Sequence, residues 1–127
     1  ELSFAVNHLA PLLLTDELMP IFSANGTAEE PSRVVFVSSL AQLSYPGTAP
    51  TPPPSEADVH MRWDDLQSTH DFHPFRTYAL TKLCNVIAAT ELAAERPLAD
   101  SRVAFTSMTP GPVATQLLQS AAPEFVP

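Results

Sequence analysis

Tyr78-Ala79-Leu80-Thr81-Lys82 opens the most helical stretch of the chain. Four residues is slightly more than one helical turn, so Tyr78 and Lys82 project from the same face. A cation held beside a phenol favours the phenolate, and a phenol so placed exchanges protons closer to neutrality. The chain has two tyrosines and, in Lys82, a single lysine. So short a pattern also occurs as an ordinary pair on a helix surface, and its surroundings decide between the two.

Immediately downstream, Leu83, Val86, Ile87, Thr90 and Ala94 recur at helical spacing. The periodicity predicts a helix from Thr77 to Arg96, with Arg76 or Thr77 at its start and Pro97 beyond its end. Ala88, Ala89, Ala93 and Ala94 leave another flank small enough for close packing. Cys84 lies in the apolar part and reads as a buried structural thiol rather than a reactive one.

On either side of this helix stands a strand. Arg33-Val34-Val35-Phe36-Val37-Ser38-Ser39 is β-branched and aromatic, apolar on both faces, and reads as a buried strand of a parallel sheet. Ser101 to Met108 alternates as a second strand. A strand, a long crossover with a helix, and a strand make a βαβ unit, right-handed by the general rule. The fold class is therefore α/β. Ser38 and Ser39 fall at the carboxyl edge, where such folds place reactive groups, although serines also end strands as turn formers. No Gly-x-Ser-x-Gly surrounds them, which argues against a hydrolase nucleophile.

Farther upstream, Leu2, Val6, Leu9, Leu13 and Leu18 keep a near-helical period, and residues 1 to about 22 read as a helix. Pro11 has no N–H for the carbonyl of Asn7, which predicts a kink with a free main-chain acceptor there. The same proline could equally start a second helix at its first position. Beyond the second strand, Thr109-Pro110-Gly111-Pro112 forms a stiff turn, followed by Val113 and Thr115.

Between Leu43 and Pro74 lies a proline-rich insertion, with Pro46, Pro50, Pro52, Pro53 and Pro54. It is read as exposed, with Trp63 and Leu66 pinning it to the body. His60, His70 and His73 lack the spacing or cysteine partners of a metal site, and a solvated loop is the better reading. No metal is expected.

The bulk numbers set outer bounds. The 127 residues suffice for one domain, and 45% hydrophobic with 16% charged residues is globular. A net charge of −8 with scattered basic residues argues against nucleic-acid or anionic-membrane binding. One cysteine excludes an internal disulfide framework. No apolar run is long enough to span a membrane. There is no initiator methionine and no signal-peptide architecture, so the chain reads as a piece of a longer protein, with cytoplasm as the default compartment.

Asn7 in a helix, Ser39 after a strand, Tyr78 with Lys82, and Pro110-Gly111 with Thr115 now stand in a fixed order. The texts "VNHLAPLLLT", "RVVFVSS", "YALTKLCNVIAATELA" and "TPGPVAT" together resemble the short-chain dehydrogenase/reductase family, within it the retinol-dehydrogenase-like members. The resemblance implies a doubly wound, Rossmann-like parallel sheet. Residues 1–127 would be the second, C-terminal part of one NAD(P)-binding domain, with the insertion at about 43–74.

It also implies roles. Tyr78 would be the general acid/base, and Lys82 would tune it and hold the nicotinamide ribose. Ser39, rather than Ser38, would hold the substrate oxygen, and the Asn7 carbonyl would anchor a water of a proton relay. Tyr78, Lys82, Pro110, Gly111, Val113 and Thr115 would line the cofactor. The implied function is NAD(P)-dependent interconversion of an alcohol and a ketone or aldehyde. By family analogy alone, the helices would pair two copies in a homodimer.

The chain departs from the family at one end. Gly26, Gly47 and Gly111 are its three glycines, and they form no glycine-rich phosphate turn. That turn and the Asn-Asn-Ala-Gly strand motif belong to the first half of the fold. Two rival readings stand beside this one: a sugar-nucleotide epimerase or dehydratase type of relative, and a truncated, non-catalytic chain acting through helix contacts.

Overall fold

The computed structural model describes residues 2–44, 61 and 63–111. Its first helical run has three parts: α1 (Leu2–Phe4), a π-helical turn (Ala5–Leu9) and α2 (Ala10–Asn25). Pro11, at the start of α2, is the cause of the wide turn. It cannot donate to Asn7, and the ladder widens so that Ala10 N–H reaches the Ala5 carbonyl. Both readings of Pro11 hold in part. The residue starts a helix, and the helix before it is distorted rather than ended.

The end of α2 is closed by Gly26 N–H and Ser32 Oγ, which both donate to the Phe22 carbonyl, at 2.9 Å each. Gly26 is extended, yet it has to be glycine. A Cβ there would run into the Arg102 carbonyl oxygen, with Ser32 N only 2.8 Å away.

Strands β1 (Ser32–Val37) and β2 (Val103–Met108) pair in parallel, in register from Ser32 opposite Val103 to Val37 opposite Met108. Between them run α3 (Pro74–Glu95) and the short α4 (Leu98–Ser101). Helix α3 starts at Pro74, not at Arg76 or Thr77. Proline suits the first helical position, and the extended His73 caps it, Nδ1 accepting from Arg76 N–H at 3.3 Å.

Helices α2 and α3 cover the same face of the sheet. Met19 and Phe22 from α2, with Leu92 from α3, pack on Val34, Val103 and Phe105. Ala88 and Ala89 of α3, with Leu12 of α2, pack on Phe36. Each large apolar side chain buried in this way contributes about 2 kcal/mol. A third cluster joins Phe4, Leu80 and Cys84, with Met61 and Leu66 against it. The opposite sheet face, expected to be buried, stands half-open among the described residues, with Val35 and Val37 each 49% exposed.

The helices turn inward a different face from the one their large apolar residues suggest. Leu2, Val6, Leu9 and Leu13 are exposed, as are Thr90 and Ala94, while Ile87 is 39% exposed. The buried stripe of α3 is instead Thr77, Leu80, Thr81, Cys84, Asn85, Ala88 and Ala89. Small residues let α3 approach the sheet closely, and its polar members are held by hydrogen bonds. Trp63 is 74% exposed, so Leu66 and Met61, not Trp63, hold their segment against the body.

Candidate active site

The two parallel strands end side by side, and the ladder extends one bond further, Ser38 N–H donating to the Met108 carbonyl at 2.8 Å. The sequence-predicted residues within the described part gather around this carboxyl end. Lys82, half-buried on α3, places Nζ 5.5 Å from the centre of the Tyr78 ring. The same Nζ donates to the Val37 carbonyl at 3.1 Å. Burial holds the lysine below its usual pKa of 10.5.

The two serines that follow β1 differ in their environment. Ser38 is buried, and its Oγ donates to the Lys82 carbonyl at 2.8 Å, with Gln42 Oε1 at 3.1 Å. It ties the strand end to α3. Ser39 is half-buried, and its Oγ accepts from Ala41 N–H at 3.2 Å, which leaves the hydroxyl hydrogen for another partner.

Asn7 joins the site through both its main chain and its side chain. The carbonyl set free by Pro11 accepts from Asn85 Nδ2 at 3.0 Å, and Asn7 Nδ2 donates to Thr81 Oγ1 at 3.3 Å. Thr81 is fully buried and in turn donates to the Tyr78 carbonyl at 2.7 Å. The π turn is thus tied to the helix turn that carries Tyr78. On the other strand, Pro110 and Gly111 lie just past β2, where Gly111 has φ +75 and an added Cβ would meet no atom of the described residues within 4 Å. Val113 and Thr115 lie outside the described residues.

Before α3 the chain winds around a buried carboxylate. Asp65 accepts from Thr69 N–H at 2.7 Å, Thr69 Oγ at 3.0 Å and Asp71 N–H at 3.2 Å, and also from His70 N–H. Burial pushes this carboxyl up, but the hydrogen bonds from Thr69, His70 and Asp71 outweigh it and hold it well below the carboxylate range. Ser68 takes a left-handed conformation, φ 51, and accepts from Thr77 Oγ at 3.0 Å, just ahead of Tyr78. His70 thus leans on Asp65 and His73 caps a helix. Among the described residues no group of three His, Cys, Asp or Glu is placed to hold a metal. Burial raises the Cys84 thiol to about 11, a little eased by a backbone hydrogen bond, which makes it a poor nucleophile.

Three buried polar residues that hold these segments together were not singled out in the sequence: Asp65, Thr81 and Asn85. Asn85 offered a signal, since an amide in the middle of an apolar helix competes with the backbone unless something holds it.

No family model matches the chain, and no solved structure matches it. Curated relatives do. Over 117 residues, 92% of this chain, it is 32% identical to retinol dehydrogenase 14 of Homo sapiens. It is 35% identical over 119 residues to dehydrogenase/reductase SDR family member 13 of Bos taurus. Over 121 residues it is 32% identical to polyprenol dehydrogenase of Mus musculus. The aligned regions span 29%, 25% and 32% of those relatives, so the chain covers less than a third of their length. No described helix is long and apolar enough to cross a membrane.

Proposed function

We propose that the chain belongs to the short-chain dehydrogenase/reductase family, among its retinol-dehydrogenase-like members, and that its full-length protein interconverts an alcohol and a ketone or aldehyde with NAD(P). The observation that carries the proposal is the Lys82 ammonium, 5.5 Å from the centre of the Tyr78 ring and donating to the Val37 carbonyl, at the carboxyl end of the strands. In a doubly wound fold that end is where ligands bind. The chain is read as the second half of the domain because it carries the Tyr78–Lys82 pair and no glycine-rich turn.

The residues present fit one end of a dinucleotide. Lys82 offers charged donors suited to ribose hydroxyls, and Gly111, left-handed and without a side chain, would let a planar ring approach the backbone after β2. The pyrophosphate end would need a glycine-rich turn, which none of the 127 residues supply. When bound, the nicotinamide gives a hydride to the carbonyl carbon or takes one from the alcohol.

The chain's own residues would manage the proton. In reduction, Tyr78 gives its phenolic proton to the carbonyl oxygen as that oxygen becomes an alcohol. In oxidation, the phenolate takes it back. The Ser39 hydroxyl donates to the same oxygen and fixes its position. Lys82 keeps a positive charge beside the phenol throughout. The relatives' names direct the first trials to isoprenoid alcohols, and the exposed Leu13, Leu14 and Ile21 of α2 suit pairing of two copies.

The test is Tyr78→Phe in the full-length protein. Turnover should fall by about a thousandfold or more, with NADH or NADPH still bound. Unchanged turnover would end the acid/base reading of Tyr78.

A further inference from the structure

Asn85 stands three residues beyond Lys82 on α3 and is 3% exposed. Its Nδ2 donates one hydrogen to the Asn7 carbonyl at 3.0 Å and the other to the Val37 carbonyl at 3.2 Å. Main-chain carbonyls only accept, so the amide cannot be turned the other way around. Oδ1 then faces His8 Nδ1 at 3.1 Å, and that nitrogen must carry the proton.

The Val37 carbonyl therefore has two donors, Asn85 Nδ2 and Lys82 Nζ. A carbonyl has two lone pairs, and here both are engaged, one by each residue. The lysine has a long flexible stem, so the place of its charge depends on where its acceptor is held. That acceptor ends a strand, and Asn85 is what joins it to the π turn.

We propose that Asn85 is a positioning residue for Lys82: by bridging the Asn7 and Val37 carbonyls it fixes the acceptor that keeps the ammonium beside Tyr78. This rests on the acid/base reading above. A structural amide that merely joins helix to strand would support folding without acting through the lysine, and a double-mutant cycle separates the two cases.

The cycle is run in the full-length protein, with Asn85→Ser in the wild-type and Lys82→Ala backgrounds. In wild type, kcat/KM for the cofactor should fall by about tenfold, the worth of one good buried hydrogen bond. In Lys82→Ala the same substitution should cost under about twofold, because the group it acts through is gone. An equal loss in both backgrounds, or none in wild type, would overturn the inference. Should Asn85→Ser not fold, His8→Phe decides by the same comparison, since it removes the group that holds Oδ1 and so loosens the amide's hold on the two carbonyls: a loss confined to the wild-type background supports the inference, and an equal loss in both or none overturns it. Tyr78→Phe is measured alongside. If it keeps turnover, the acid/base reading falls and takes this inference with it; if it loses turnover while the cycle is additive, this inference falls alone.

Discussion

Lys82 Nζ and the carbonyl oxygen of Val37 lie 3.1 Å apart, the helix donating its charge to the last residue of the strand. The ammonium is half-buried, and burial holds its pKa below 10.5. A lysine depressed in the folded state costs stability. That cost is present in full below the folded pKa and is relieved as pH rises through it toward the unfolded value.

The charge should accordingly matter for activity rather than for folding. Lys82→Met keeps the apolar stem and removes the ammonium. Its melting temperature at pH 7 should equal or exceed that of the wild type, while turnover of the full-length protein drops by about a hundredfold or more. A clear loss of melting temperature would show that the Val37 contact repays the burial of the charge.

Asp65 should behave in the opposite way. Its carboxyl is depressed on folding, so its contribution is present above the ordinary 3.8 and is lost as pH falls below that value. Asp65→Asn removes acceptors from Thr69, His70 and Asp71 and should lower the melting temperature at pH 7. The gap from wild type should narrow steadily as the pH is brought from 5 to 2. Parallel curves over that range would mean that the carboxylate charge does not order the segment ahead of α3.

Which parts of this were legible in sequence depends on whether the constraint is local. The Tyr78–Lys82 pair and the Asn7 carbonyl could be read because helix geometry and the missing proline N–H act within one turn. The inward faces of the helices could not. Periodicity tells which residues share a face, not which face turns to the sheet, and Leu9 and Leu13 share one that points out. Asn85 was legible only in part: an amide inside an apolar helix signals that something holds it, but its partner Asn7 is 78 residues away, and nothing near Asn85 in the chain says what.

Gly26 tests how closely the end of α2 is pressed to the start of β2. Its backbone, φ −82 and ψ 156, is one that any residue adopts, so no conformational strain arises on substitution. The obstacle is the Arg102 carbonyl in the path of a Cβ. Gly26→Ala should destabilise the fold by about 1–3 kcal/mol, as other overpacked sites do. Stability equal to wild type in a urea titration would show that the two segments separate at little cost.

The sheet face bearing Val35, Val37 and Met108 provides the sharpest test of the second-half reading. These side chains are 49%, 49% and 45% exposed, on a sheet with two strands among the described residues. An apolar face beside an unpaired edge invites association between chains. The isolated 127 residues should therefore aggregate and unfold without a sharp transition, and Val35→Lys should make them more soluble. In the full-length protein, where the proposed first half supplies helices for that face, the same charge would be buried and unpaired. There Val35→Lys should cost about 3 kcal/mol or more. A full-length protein indifferent to Val35→Lys would mean that the face stays open to water, and that the proposed first half does not lie where the family fold puts it.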